Sequence, residues 1–311
     1  MDNTEMESAL SENLNALTPQ MLPCSKVKLR EAMDYSVLPA GKLFRPNLAM
    51  ATYLDSGGDP KKRSEINKFC SFLEFHHAYS LVHDDLPSMD NDDFRRGRPS
   101  THKVYGEWMG VLTGDALLSA SYQCLAKINH PQSLNILKFC TWALGPKGLI
   151  LGQAYDMSGQ INISINDLLT THLLKTGRLI QCSLVGGRAL SKEHMGLTEL
   201  KKYMRMGQSL GLIFQLIDDL SELSESKIGE HEKEINRWVD YPEELFVILK
   251  DQLELLNRLC GPHHLEVKKV LSKYFQKMKA IILDGQQNIK NHLGQNQKDL
   301  IPVVELLERL C

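Results

Sequence analysis

The sequence predicts an all-α protein, and three observations lead there. Strand signals are nearly absent: no Asn-Gly or Asp-Gly pair sits between alternating segments, and no train of short β-branched runs recurs. Apolar residues instead return at three- and four-residue spacing along most of the chain, the period of a helix with one buried face. Glycines and prolines punctuate these runs at 39–41, 57–60, 87–99, 131, 145–148, 159, 229 and 261–262, which marks the joints between helices.

In chain order, the run ending at Leu86 reads as a helix: His77, Ser80 or Leu81, and Asp84 fall on one face, and Pro87 ends or bends it. Asp84 and Asp85 therefore stand at a helix end, and Asp90 follows in a short loop. Ser164 with Asp167 forms a capping signal ahead of LLTTHLLKTGRLIQCSLVGG. Gly177 inside that pattern costs about 1 kcal/mol relative to alanine, which points to a local kink. The stretch FQLIDDLSE, 214–222, places Asp218 and Glu222 four residues apart on one face, with Gln215 one turn earlier. No internal repeat, low-complexity tract or composition break marks a linker, so residues 1–311 are read as a single helical domain, with two packed sub-bundles as the alternative.

Composition narrows the function classes. A hydrophobic share of 42% and a charged share of 24% are those of a soluble globular protein. A net charge of -2 gives no reason to expect nucleic acid as a partner. The seven cysteines are scattered without a CxxC pair, which suits free thiols in a reducing cytoplasm and argues against a zinc knuckle or a disulfide framework. The acidic start MDNTEMESAL lacks the basic region of a signal peptide. The longest apolar run, LGLIFQLI at 210–217, is too short to span a membrane. A cytoplasmic enzyme is the expectation.

The chemistry concentrates in residues 74–102, EFHHAYSLVHDDLPSMDNDDFRRGRPSTH. Five aspartates (84, 85, 90, 92, 93) precede three arginines (95, 96, 98). Such clusters are costly side by side unless something charged sits between them; a phosphorylated ligand bridged by Mg²⁺ satisfies both. An acidic loop alone is commonly just solvated, but the RRGR that follows weakens that reading.

The stretch DDLPSMDNDDFRRGRPSTH resembles the first aspartate-rich motif of the trans-isoprenyl diphosphate synthases, in the bacterial short-chain form with two extra residues inside DDxxD. The resemblance runs from about residue 38 to 219. It implies a single large helical bundle around a central cavity. It also implies condensation of isopentenyl diphosphate with dimethylallyl or geranyl diphosphate to farnesyl diphosphate by Mg-assisted ionisation. AGKLFRP is similar to the family's GGKRxRP, so Lys42 and Arg45, joined by His77 and Arg96, would hold the diphosphate of isopentenyl diphosphate. Gly152–Asp156, GQAYD, is similar to GGQxxD, with Gln153 and Asp156 as polar groups facing the site. Lys175 of KTG would bind the allylic diphosphate together with Arg95, with Thr176 facing the carbocation. FQLIDDLSE is similar to FQxxDDxxD, which brings in Gln215.

The implied metal ligands are Asp84, Asp85 and Asp90 on one side and Asp218, Asp219 and Glu222 on the other, holding roughly three Mg²⁺ ions with substrate bound. Tyr79, five residues before Asp84, with Ser80 beside it, would set chain length by closing the tunnel. A homodimer is the implied assembly. The sequence departs from the family pattern at Leu43 (usually arginine), at Glu222 (usually aspartate), and at IGE (228–230) and VDYP (239–242), where lysines are expected. Lys227, Lys233 or Arg237 are the substitutes on offer. These departures keep open a degenerate prenyl-diphosphate-binding homologue or partner subunit. A class I terpene cyclase shares the acidic motif but has no need of Lys42, Arg45 and RRGRP. An HD-type phosphohydrolase, suggested by His76, His77 and His83–Asp84, leaves the remaining aspartates and the arginines unexplained.

Overall fold

The computed structural model describes residues 3–17, 28–225 and 236–293. Helices dominate, as the apolar spacing predicts: α1 (Asn3–Leu17), α2 (Leu29–Val37), α3 (Phe44–Asp55), α4 (Ser64–Asp84), α5 (Thr101–Tyr105), α6 (Glu107–Ala126), α7 (Ser133–Leu144), α8 (Leu149–Met157), α9 (Ile165–His172), α10 (Arg178–Leu190), α11 (Leu197–Glu222), α12 (Pro242–Leu259), α13 (Leu265–Asp284) and α14 (Gln286–Leu293). The chain divides into two compact units, one of Met1–Lys138 with Gly186–His194, the other of Phe139–Val185 with Met195–Cys311. No helix among the described residues is long and apolar enough to cross a membrane.

In the first unit α4 is the axis. Phe69, Phe72, Leu73 and Phe75 are fully buried, and the helix is apolar nearly all round, as expected of an element with neighbours on several faces. α6 lies against it closely, because Gly114 leaves room for the His83 ring; any Cβ there would meet that ring. α1 adds Met6 and Leu10 to the same core.

In the second unit α11 is the long central helix, with Leu210, Ile213, Leu216, Ile217 and Leu220 buried. The segment after it returns to it: Trp238, 1% exposed, donates from Nε1 to the Leu216 carbonyl at 2.9 Å. α9 starts where the sequence expects, with Ser164 Oγ accepting from the Asp167 amide at 3.1 Å. The kink expected at Gly177 is a π-helical turn, Leu173–Gly177, between α9 and α10.

One element is an addition to the all-helical expectation. β1 (Phe94–Arg95) pairs antiparallel with β2 (Arg98–Pro99), and Arg96 (φ 55) and Gly97 (φ 74) form the turn between them. Positive φ at both central positions is the signature of a type I′ hairpin. Arginine is an unusual occupant of its first position, which hides the hairpin from pattern reading.

Candidate active site

The first acidic loop is folded by its own backbone. α4 ends at Asp84, and the Asp90 amide returns to donate to the Asp84 carbonyl at 2.9 Å. Met89 and Asn91 donate to the Leu86 carbonyl at 2.9 and 3.1 Å, so Asp84 and Asp90 flank a single tight turn. Asp90 is exposed, Asp84 half-buried and Asp85 buried. Several of the acids and arginines also pair directly with one another. Arg95 donates through Nε and Nη2 to Asp85 Oδ1 at 2.8 and 2.5 Å, and through Nη2 to Asp92 Oδ2 at 2.8 Å. Lys103 pairs with Asp93 at 2.6 Å. Burial pushes the Asp85 carboxyl up, against the opposing pull of Arg95, and the Arg95 guanidinium is in turn held above its usual range by Asp85 and Asp92.

The expected anion-binding cations gather lower on α4. Arg45 Nη1 lies 3.2 Å from His77 Nε2. Burial first, and then the charges of Arg45, Arg96 and Arg95, push His77 well below the ordinary histidine range, which leaves its ring neutral and able to accept from Arg45. Arg96 reaches in from the hairpin tip: its guanidinium lies against Gly41, where a Cβ would come 2.5 Å from Cζ. Arg96 Nη2 stands 4.0 Å from Glu74 Oε1, a carboxylate 3% exposed. Lys42 is exposed in the turn ahead of α3. Leu43, where arginine is usual, is 2% exposed with φ 51 and belongs to the core. A cavity of about 270 Å³ beside this cluster is lined by Asp85, Arg95, Arg96, Arg98, Ser36 and Thr101, among others.

The second unit holds the other expected residues. Lys175, in the π turn, donates to Asp156 Oδ2 at 2.5 Å, which gives the GQAYD aspartate a partner; Gln153 Nε2 is buried without one. Thr176 Oγ1 donates to Gln215 Oε1 at 3.0 Å, and Gln215 Nε2 donates to Asp219 Oδ1 at 2.7 Å. His172 Nε2 stands 3.1 Å from Asp219 Oδ2. Asp218 is half-buried and Glu222, the last residue of α11, is exposed; Asn236 Nδ2 donates to the Asp219 carbonyl at 2.7 Å and lies 3.5 Å from Glu222 Oε2.

Residues 26–235 match the family model of polyprenyl synthetase. The chain belongs to this family. It is 38% identical over 234 residues to the farnesyl diphosphate synthase of Geobacillus stearothermophilus, covering 72% of this chain and 75% of that protein. It is 36% identical over 229 residues to geranylgeranyl pyrophosphate synthase 4 of Arabidopsis thaliana, covering 71% and 59%. Among solved structures, a geranyltransferase from Helicobacter pylori superposes with a TM-score of 0.70 at 28% identity, over 88% of this chain and 99% of that one. A structure of geranyltransferase from the same organism, complexed with magnesium and isoprenyl diphosphate, gives 0.70 at 27%, over 89% and 98%.

This polyprenyl synthetase thus has the all-α isoprenyl synthase fold and is a member of the trans-prenyl diphosphate synthases. Its donors suit the family's magnesium. Aspartate and glutamate oxygens are hard ligands, and among the described residues no three His, Cys, Asp or Glu side chains converge to form a closed cage. Mg²⁺ takes one or two carboxylates and completes its shell with water and phosphate oxygens, so an open donor set fits it. Tyr79 is 6% exposed and set edge-on to His76, with ring centroids 4.6 Å apart, while Ser80 Oγ turns back to the His77 carbonyl at 2.9 Å. Tyr79 is therefore a packed core aromatic as well as the chain-length candidate. Of the substitutes for the missing lysines, Arg237 is taken up locally: its Nη1 lies 2.6 Å from Asp240 Oδ2, and its guanidinium stands over the Tyr241 ring at 5.0 Å. Lys227, Lys233 and the IGE segment lie outside the described residues.

Sequence reading missed Glu74, His172, Asn236 and Trp238. A lone acid in the apolar run FCSFLEFHHAY, one helical turn before His77, is the signal that points to the first of them.

Proposed function

We propose that this polyprenyl synthetase is a short-chain trans-prenyltransferase that condenses isopentenyl diphosphate with dimethylallyl or geranyl diphosphate and ends at farnesyl diphosphate. The observation that carries the reading is the Arg45–His77 contact at 3.2 Å with Arg96 beside it, a pair of guanidinium groups at a point about two turns before Asp84 on the same face of α4. A terpene cyclase takes one diphosphate, whereas this reaction takes two and needs a separate cationic seat for the second.

In this reading Arg45, His77, Arg96 and the exposed Lys42 seat the isopentenyl diphosphate. Asp84 and Asp90, with Asp85 behind them, and Asp218, Asp219 and Glu222 would hold the magnesium of the allylic diphosphate, for which roughly three ions are expected. Bound magnesium supplies the Lewis acidity that turns the diphosphate into a leaving group. Lys175 and Arg95 add positive charge at that leaving group. The Thr176 hydroxyl, fixed by Gln215, presents its oxygen to the allylic cation. The π bond of isopentenyl diphosphate attacks that cation, and the proton then lost goes to the released diphosphate. No side-chain nucleophile is required. Tyr79 limits the chain to C15. Both units, residues 1–311, serve this one reaction in a cytoplasmic homodimer, for which sedimentation is the check.

The test uses the purified protein with labelled isopentenyl diphosphate, geranyl diphosphate and Mg²⁺. A C15 diphosphate is expected, together with its loss on chelation and in Asp84→Ala. Near-normal turnover by Asp84→Ala at saturating Mg²⁺ overturns the assignment. Absence of any condensation by the unaltered chain returns it to a binding homologue or partner subunit.

A further inference from the structure

Glu74 is the buried ionisable group that the mechanism above does not use. It lies on α4 one turn before His77, is 3% exposed, and stands among apolar neighbours. A carboxylate in that position is expensive unless cations answer it. Two do. Arg96 Nη2 is 4.0 Å from Glu74 Oε1, and the Arg45 charge also acts on the same carboxyl. Burial raises the Glu74 carboxyl, and both arginines pull it back down.

The arginines need Glu74 in turn. Two guanidinium groups converge here beside a neutral His77, so without an internal anion they repel each other. Arg96 comes from the tip of the 94–99 hairpin in a left-handed conformation, φ 55, which disfavours a residue with a side chain. Its guanidinium then passes over Gly41, through the space that a Cβ there would occupy. A strained backbone and a gap shaped to one side chain indicate a residue held in place, and Glu74 is the charge at its end.

We propose that Glu74 is a positioning residue, the internal counter-charge that holds Arg45 and Arg96 side by side to receive the diphosphate of isopentenyl diphosphate. It touches neither substrate. The inference rests on the function proposed above, and the experiment separates the two.

Isopentenyl diphosphate binding is measured by titration calorimetry without Mg²⁺ or allylic substrate, alongside steady-state kinetics with both substrates varied. Glu74→Gln keeps the shape and removes the charge. The expected result is a rise of about 10- to 100-fold in both the Kd and the KM for isopentenyl diphosphate, the scale of one or two pKa units of lost charge interaction. The KM for geranyl diphosphate and the kcat at saturation are expected to stay within about threefold. Should Glu74→Gln fail to fold, Gly41→Ala carries the test: its methyl displaces the Arg96 guanidinium from Glu74 and is expected to raise the same KM selectively. Unchanged isopentenyl diphosphate binding, or equal rises for both substrates, overturns the positioning role while the function stands. No binding of isopentenyl diphosphate by the unaltered protein overturns both.

Discussion

Replacing Gly211 by alanine tests whether the π turn of the second unit is clamped by backbone contact. A Cβ at Gly211 would lie 2.4 Å from the Gly177 Cα and 3.3 Å from its nitrogen. Carbon atoms rest about 3.5–4.0 Å apart, so the two backbones must separate by roughly 1 Å or more. The turn has nowhere to go, since a Cβ at Gly152 on its other side would lie 2.3 Å from the Lys175 nitrogen. In an unhindered helix, alanine would stabilise by about 1 kcal/mol over glycine. Overpacking costs about 1–3 kcal/mol, so the clash wins on balance by up to about 2 kcal/mol. For a chain of this size that lowers Tm by a few degrees, about 2–4 °C per kcal/mol.

The effect on activity is expected to be larger. Gly177 follows Lys175 and Thr176 directly, and a misplacement of about 1 Å costs on the order of 100-fold in rate. Differential scanning fluorimetry and the condensation assay read the two effects separately. A Gly211→Ala protein that melts at or above the parent temperature with parent kcat would show that helix propensity prevails and that the glycine contact does not shape the turn.

Two further outcomes follow from α4. Burial holds His76 neutral, with its pKa pushed down to about 3, while an unfolded histidine titrates near 6.5, so the unfolded chain binds more protons throughout that window. Stability therefore falls as pH falls from about 6.5 toward 3, by up to about 1.4 kcal/mol per pH unit from this residue. Urea denaturation of His76→Gln between pH 6.5 and 4.5 is expected to show a shallower dependence than the parent, and identical slopes would refute this. Tyr79→Ala removes a ring 6% exposed and is expected to cost about 3 kcal/mol and to lengthen the product beyond C15; chromatography that still shows only C15 removes Tyr79 from the tunnel floor.

The parts of this molecule legible in its sequence are those whose physics is local. The end of α4 follows from Pro87, the start of α9 from Ser164 and Asp167, and the irregular turn at 173–177 from a glycine inside a helical pattern. The candidate residues were reached differently, through similarity to a motif, and the structure brings several of them into contact: Arg45 with His77, Thr176 with Gln215, Gln215 with Asp219. What pattern reading does not reach depends on residues distant in the chain. Arg95 meets Asp85 across a loop that its own backbone folds, with the Asp90 amide returned to the Asp84 carbonyl. The closeness of Gly177 and Gly211 is a fact of helix packing over thirty-four positions, and a glycine chosen for close approach looks the same in sequence as one chosen for a turn.

The two acidic motifs share a design that neither spacing nor similarity reveals. In the first, buried Asp85 takes two hydrogen bonds from Arg95, while Asp90 is exposed in the turn that returns to Asp84. In the second, Asp219 has Gln215 at one oxygen and His172 near the other, while Glu222 is exposed at the end of the helix. Each motif thus has an aspartate hydrogen-bonded within the protein and a carboxylate exposed to water. A hard cation that keeps part of its hydration suits exposed carboxylates such as Asp90 and Glu222, which already face water. Asp85 holds Arg95 in place in the first unit, and in the second Asp219 holds Gln215 and, through it, Thr176.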